Sequence, residues 1–600
     1  MLISWLGAVA AAAIAVGLFL PYRSSPFLYD DKFAILDNPI VTGSGPAVDA
    51  WTVDFWGHHR VDSPLSHKSF RPLITLWLRS DFRAWGASPA NFRLTNAVLH
   101  GVASALVVPV YLAATAQRPA GKGSPPPTLL ERRDQALIAS AGAVLFAAHP
   151  VHSEAVMHIA ARADIVAGIL QFLAFIIWAR ARMAAAARSP VNRENPPWFM
   201  IAAWSAVVAI TIVGVLAKET AVVIPLLCAA WDFFCFENFS LWHLYRAVTG
   251  PEVDDWTRRQ RESLLRAASL AVAAVFLALL RLRKNGSAGP NICRNIEFNP
   301  AGCAEFPPVR WASIGWNWLE YLKVSAFAWL QPITCPQAPL GTPQSQHDCW
   351  HSFLSIDWSG DASPAIESIL DARLVILAAS AWCASIVVWK CFVVVENRPG
   401  AARAGAASVL LGVVPFLLGS NVWVTIGTAR AERLLYAPVL GLVLFLAGLM
   451  VNQRRRRVLG GAAFVLVLAL CCTATLQRNA DWTSAEQLWF SAVRSSPTDV
   501  HALNLLALNQ KKRGDYDGAI VTLRNVKQLP DPERWGGPTL SAWRALADLL
   551  EERALQLERG GVAPSSAAGL SERAEALDVR RRERALTSHL CAIEFREHVC

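Results

Sequence analysis

Phe27-Leu-Tyr-Asp-Asp-Lys-Phe-Ala-Ile-Leu-Asp-Asn38 stands a few residues beyond an apolar run at 3–21, and the two together decide the fold. A run of about 20 apolar residues is what a helix needs to cross a bilayer, so Asp30 and Asp31 are expected just outside a membrane surface. Two adjacent carboxylates there are costly unless they bind a cation, pair with one or move a proton. The chemical reading is a general base held beside the bilayer, facing a lipid-linked substrate. The plain reading is a solvated Asp-Asp turn after a helix.

The rest of the chain favours the membrane. Its 600 residues are 54% hydrophobic and 17% charged, with mean hydropathy +0.32, which is not the profile of an ordinary soluble protein. Further apolar runs lie at 92–116, 136–149, 164–180, 198–216, 219–236, 264–281, 373–395, 405–423, 434–451 and 458–476. With the first, this gives about eleven passes by the ~20-residue rule. The stretch 312–332 carries Glu320 and Lys323 and reads as interfacial or re-entrant. The first run lacks a basic leading segment and a small-residue cleavage site before Pro21, so it reads as a retained helix. A net charge of +10 without an aromatic-interleaved basic stripe is not a nucleic-acid footprint.

Lys and Arg concentrate in loops at 117–135, 181–197, 246–261, 398–403 and 454–457, whereas 333–372 has neither. Basic loops stay cytosolic, which places the N-terminus in the cytosol and the acidic pair, together with everything after about 476, on the luminal side. Cys293, Cys303, Cys335 and Cys349 then share a luminal region in which disulfides persist, and four cysteines allow three pairings.

Polar residues interrupt the apolar pattern at a few places. Arg71 precedes Pro72, and a guanidinium there suits a phosphate or carboxylate. Asn96 and His100 lie one helical turn apart. His149-Pro-Val-His152-Ser-Glu154, followed by Arg162-Ala-Asp164, reads as a polar network lining a groove. His149 and His152 have a spacing that suits a metal, but no third ligand is assured, so no metal is expected. Lys218-Glu219 sits between two apolar runs, where charge is expensive and serves function or holds helices together. Arg430-Ala-Glu432-Arg433 precedes a late apolar run and suits a lipid phosphate.

Beyond 476 the character changes. Leu503, Leu506 and Ala507, then Gly514-Asp-Tyr516, Ala519, Ile520 and Pro530, match one tetratricopeptide repeat of ~34 residues. One repeat cannot bury its own face, so it must pack on the membrane domain, on neighbouring helices or on a partner. The expected division is a membrane domain at 1–476, with a first luminal loop at 22–91 and a luminal region at 282–372. A repeat-like helical region follows at 477–558, and a charged tail at 559–600.

Taken in order, Tyr29-Asp-Asp31, His67-Lys-Ser-Phe-Arg-Pro72, Asn96-Ala-Val-Leu-His100, Phe146-Ala-Ala-His-Pro-Val-His-Ser-Glu-Ala155, Arg162-Ala-Asp164, Lys218-Glu219, Asp357-Trp-Ser359 and Ala431-Glu-Arg-Leu-Leu-Tyr436 resemble one family. It is the transmembrane and tetratricopeptide-repeat (TMTC) family of protein O-mannosyltransferases of the endoplasmic reticulum, and the resemblance covers about 20–530. It implies a mostly α, polytopic GT-C glycosyltransferase fold, a luminal active site, and dolichyl-phosphate mannose as donor substrate with no cofactor. The implied acceptors are Ser or Thr of secretory-pathway proteins, cadherin-like β-sandwich domains among them. Asp30 and Asp31 match the acidic pair expected to be catalytic, with Asp30 as base. Arg433, Glu432, Lys218, Glu219 and Arg71 are the expected donor-phosphate residues, with His149, His152, Glu154, Arg162 and Asp164 supporting them. The alternatives are another polyprenyl-phosphate-sugar transferase, or a non-catalytic membrane scaffold that recruits a partner through its repeat. The single repeat and the stretch 333–356 depart from the family pattern.

Overall fold

The computed structural model describes residues 1–116, 128–187, 198–237, 255–286, 293, 298–335, 352–389, 400–451, 457–529, 536–559 and 567–594. The expected helices form. The first part of the chain gives α1 (Leu2–Phe19), α2 (Pro72–Trp85), α3 (Pro89–Ala114), α4 (Leu129–Ala148), α5 (His152–Met157), α6 (Arg162–Ala186), α7 (Trp198–Ala217), α8 (Ile224–Ala230) and α9 (Asp255–Lys284). After these come α10 (Pro307–Phe327), α11 (Arg373–Val388), α12 (Gly400–Phe416), α13 (Val439–Val451) and α14 (Arg457–Asp481). The C-terminal part adds α15 (Ala485–Ser495), α16 (Val500–Lys512), α17 (Tyr516–Lys527), α18 (Gly536–Arg559) and α19 (Ala567–Glu594). Among the described residues the only extended pairing is an isolated bridge between Val53 and Arg60.

Among the described residues seven segments, against the roughly eleven passes expected, are long and apolar enough to cross a membrane: Leu2–Tyr22, Pro89–Ala114, Ile159–Ala186, Trp198–Ala217, Glu219–Phe236, Arg261–Lys284 and Val458–Asp481. Arg373–Val388, Ala404–Phe416 and Val439–Val451 are apolar but shorter. The run expected at 136–149 falls on α4, whose first turns carry Glu131, Arg132, Arg133 and Asp134 behind a Thr128/Glu131 capping box. The last long helix passes the expected end at 476 and continues to Asp481.

Small residues let these helices approach closely, as they do inside membranes. A Cβ on Gly7 of α1 would collide with Ser140 of α4, and one on Gly441 of α13 would collide with the Ser408 carbonyl of α12. α1 packs on α3 and α4, α6 on α7, and α4 on α13. Prolines set the breaks. Pro72 and Pro89 open helices at N1, where the missing N–H is not needed.

One end of the bundle gathers the loops. The Lys68 ammonium donates to the Asn285 carbonyl (2.8 Å), Ala429 N–H to the Phe298 carbonyl (2.7 Å), and Asn479 Nδ2 to the Leu18 carbonyl (3.1 Å). The Ser355 N–H donates to Glu432, the Ser495 hydroxyl to the Leu354 carbonyl and the Ile366 N–H to the Ser313 hydroxyl, so the 298–335 and 352–372 segments and the start of the C-terminal region also come together. Cys293 and Cys303 form a disulfide there, and Cys335 is also disulfide-bonded. Cys349 and most of the basic loops that set the expected orientation lie outside the described residues.

The helical pair expected as a repeat is α16 and α17, joined by a turn at Gly514 (φ 83°). Its buried face continues into α18 and α19 through Val500, Leu503, Ile520, Leu523, Trp543, Leu546, Val579 and Leu586. The segment expected as a charged tail thus contributes a packed helix, because Ala576, Val579 and Leu586 fall on one face.

Candidate active site

Pro21 and the 310 turn at Leu20–Tyr22 end α1 and send the chain back across the bundle. At Tyr29 the backbone enters the left-handed region (φ 53°), which an aromatic residue adopts only where surrounding structure holds it. That twist separates the environments of the two following carboxylates. Asp31 is fully buried, accepts from the Ala160 N–H (2.9 Å), and lies 3.6 Å from the Arg93 guanidinium. Arg93 is itself fixed by the carbonyls of Met157, Ser25 and Pro26. Asp30 keeps 30% of its side chain exposed.

Around Asp30 the structure assembles charges from distant parts of the chain. Arg433 donates its backbone N–H to Glu154 Oε2 (2.9 Å) and its guanidinium to Glu154 Oε1. Arg71 holds Glu219 with both arms of its guanidinium, at 2.7 and 3.3 Å. Arg281 approaches the same carboxylate at 3.9 Å, and Lys218 pairs with Asp164. Burial is the largest influence on Asp30 and pushes its carboxyl up to about 6, with Arg433 and Arg71 pulling it down and Glu154 raising it further. Burial likewise pushes Asp31 up to about 7 against the opposing pull of Arg93 and two backbone N–H groups. A carboxylate poised near neutral pH is suited to proton transfer.

Two clefts meet this centre. One is lined by Asp30, Phe33, Asp54, Trp56, His58 and His67, and opens to the outside. The other is lined by Arg433, Asp164, Gln171, Thr220, Tyr436 and Pro415, among helices of the membrane domain. A hydroxyl entering the first would meet a carboxylate, and an anion in the second would meet a guanidinium.

Of the residues expected from sequence, Asp30, Asp31, Arg71, Glu154, Asp164, Lys218, Glu219 and Arg433 come together. The others hold the frame. His149 accepts from the Val151 N–H on Nδ1 and donates from Nε2 to the Ser325 carbonyl (2.9 Å). His152 reaches the Tyr436 carbonyl (3.2 Å) within a ring cluster of His100, Phe146 and Tyr436. Arg162 is saturated by Asn96, Asp81 and the Phe92 carbonyl. Glu432 accepts from the Ser355 N–H (2.6 Å) and pairs with Arg478, a fully buried salt bridge that anchors α14. Among the described residues no three His, Cys, Asp or Glu are grouped to hold a metal ion.

Sequence reasoning missed His158 and Trp482 and gave Tyr29 no role beyond its place in the Tyr29-Asp-Asp31 stretch. The His158 ring stacks on Trp482 (5.7 Å between centroids, 21° between planes), and Tyr29 sits against Trp489 (5.8 Å). The start of the C-terminal region therefore walls the acidic pair. A lone histidine between Met157 and Ile159 gives no signal in the sequence beyond that of a core residue.

No protein-family model matches the chain. It is 27% identical over 529 residues to the human protein O-mannosyl-transferase TMTC4, covering 85% of this chain and 65% of that protein. It is 28% identical over 596 residues to Drosophila melanogaster protein O-mannosyl-transferase Tmtc1, covering 86% of this chain and 61% of that protein. The chain is a relative of the TMTC proteins. It spans less than two thirds of the length of these TMTC relatives. A solved structure, ArnT from Cupriavidus metallidurans bound to undecaprenyl phosphate, aligns over 91% of this chain and 80% of its own. At 14% identity and a TM-score of 0.36, that match is too loose to place any residue.

Proposed function

We propose that this protein is a GT-C glycosyltransferase that moves mannose from dolichyl-phosphate mannose to Ser or Thr hydroxyls of proteins in the lumen of the endoplasmic reticulum. The observation that carries the reading is Asp30: half-buried, raised toward neutral, open to one cleft and electrostatically coupled to Arg433 of the other. The names of the TMTC relatives supply the sugar and the kind of acceptor. Cadherin-like β-sandwich domains are the acceptors to try first, and the α15–α18 helices are the surface on which a protein partner would dock.

In this reading the acceptor hydroxyl loses its proton to an Asp30 oxygen as its own oxygen bonds the anomeric carbon. The bond from that carbon to the phosphate oxygen breaks, and the electron pair leaves with the lipid phosphate. One displacement converts a β-linked donor into an α-linked product. Arg433, with Arg71 nearby, faces the charge that develops on the phosphate. Lys218 and Glu219 hold Asp164 and Arg71 in place.

The test is transfer of labelled mannose from dolichyl-phosphate mannose to folded β-sandwich acceptors by the purified protein, beside Asp30→Asn. Transfer by the wild type that is lost in the variant supports the reading. A folded wild-type protein that transfers no mannose to any acceptor overturns it.

A further inference from the structure

His158 is 3% exposed, and neither of its ring nitrogens has a hydrogen-bond partner. Buried imidazoles are normally satisfied, so the arrangement calls for a reason. Nε2 lies 3.6 Å from Asp31 Oδ1 and 4.0 Å from Asp30 Oδ2, between the two carboxylates. Asp31 is held from the other side by Arg93 and Ala160, whereas Asp30 carries no side-chain hydrogen bond among the described residues. The ring itself is fixed, clamped on Trp482 and tilted against Tyr29 (5.6 Å).

We infer that His158 is a positioning residue whose Nε2–H lies between the anchored Asp31 and the free Asp30, keeping Asp30 ionised and its open oxygen turned to the acceptor cleft. The inference rests on the proposed role of Asp30 as base, but its geometry stands without it. The charged groups that face this ring are Asp30, Asp31, Arg93, Arg433, Lys218 and Arg71. Burial first, then the four cations, hold the imidazole well below its ordinary value and therefore neutral, so its Nε2–H faces the two carboxylates, at 3.6 and 4.0 Å, as a dipole rather than as a charge. A neutral N–H dipole aimed at a carboxylate lowers the cost of its ionised form without placing a second charge in the buried site.

The variants His158→Phe and His158→Gln, in the full chain, separate this from a merely structural role. Phe keeps the stack on Trp482 and removes the donor, whereas Gln restores an N–H. Carbodiimide labelling of Asp30, followed by mass spectrometry against pH, reads the protonated carboxyl without needing any activity. The expected result is a labelling midpoint that rises by half a pH unit or more in His158→Phe and returns toward wild type in His158→Gln. Under the transfer assay, kcat should fall at least tenfold in His158→Phe with the KM for donor unchanged within twofold. An unchanged midpoint in His158→Phe overturns the inference, whether or not the wild type transfers mannose. Should His158→Phe fail to fold, Trp482→Ala loosens the same ring. The midpoint should rise there too, and no movement in that variant overturns the inference equally.

Discussion

Arg433 and Glu154, 279 residues apart, are joined through two separate hydrogen bonds, one from the Arg433 backbone and one from its guanidinium. The pair ties the 310 turn before α13 to α5 and fixes a guanidinium that lines the inner cleft. Glu154 is 1% exposed, so removing either partner strands a buried charge. Glu154→Ala should cost about 3–5 kcal/mol, and Glu154→Ala combined with Arg433→Met should recover part of it. Thermal unfolding of the four proteins of that cycle measures the coupling.

Asp30→Asn should lower kcat by about 10²–10⁴-fold, the usual contribution of a general base, with KM for donor changed only slightly. Steady-state kinetics with saturating acceptor decides it. A variant retaining more than a tenth of wild-type kcat would exclude Asp30 as the base.

The raised carboxyls give two pH dependences of opposite use. As a base, Asp30 must be ionised, so activity should fall as pH drops through about 6, well above the ordinary carboxylate range. Stability runs the other way. The folded state binds a proton at Asp31 up to about 7, whereas the unfolded chain releases it near 3.8. That stabilisation is complete below the unfolded value and lost as pH rises through about 7. The unfolding temperature should therefore decline from pH 5 to pH 8, with a smaller slope in Asp31→Asn.

Glu219 holds Arg71 bidentately, at 2.7 and 3.3 Å. Glu219→Gln keeps one acceptor and loses the charge that orients the guanidinium. It should raise KM for the lipid-linked donor several-fold while leaving KM for acceptor unchanged, a split that initial-rate measurements with each substrate varied would reveal.

In the C-terminal helices Trp543 is fully buried among α16, α17 and α19. Trp543→Ala should cost about 3–5 kcal/mol and expose α18–α19 to limited proteolysis before the membrane domain yields.

Charge set against apolar surroundings is what made the site legible in sequence. Asp30, Lys218, Glu219 and Arg433 stood out because ionised groups beside hydrocarbon need a reason, and the structure brings them to one centre. The apolar runs likewise fell on helices, since length and hydropathy are local properties. What stayed hidden depends on long-range pairing. Nothing in Arg162-Ala-Asp164 tells that Arg162 belongs to Asp81 and Asn96 while its neighbour two positions on belongs to Lys218. Glu432 and Arg433 are adjacent, yet the 310 turn sends them to Arg478 and Glu154 respectively. His158 and Trp482 gave no signal because aromatic stacking between residues 324 apart leaves no local pattern.

The clamp of Trp482 on His158, and of Trp489 on Tyr29, bears on the order in which the protein is made. The acidic pair is synthesised among the first residues, but its wall arrives only after the last long membrane helix has been inserted. Until then the pair lacks that wall, although Arg93 and Ala160, which hold Asp31, precede it in the chain. A nascent chain still held at the translocon thus carries the proposed base without the aromatic wall around it. The candidate site closes only when residues near 482–489 fold back onto the first loop, so its completion becomes a late event of biosynthesis.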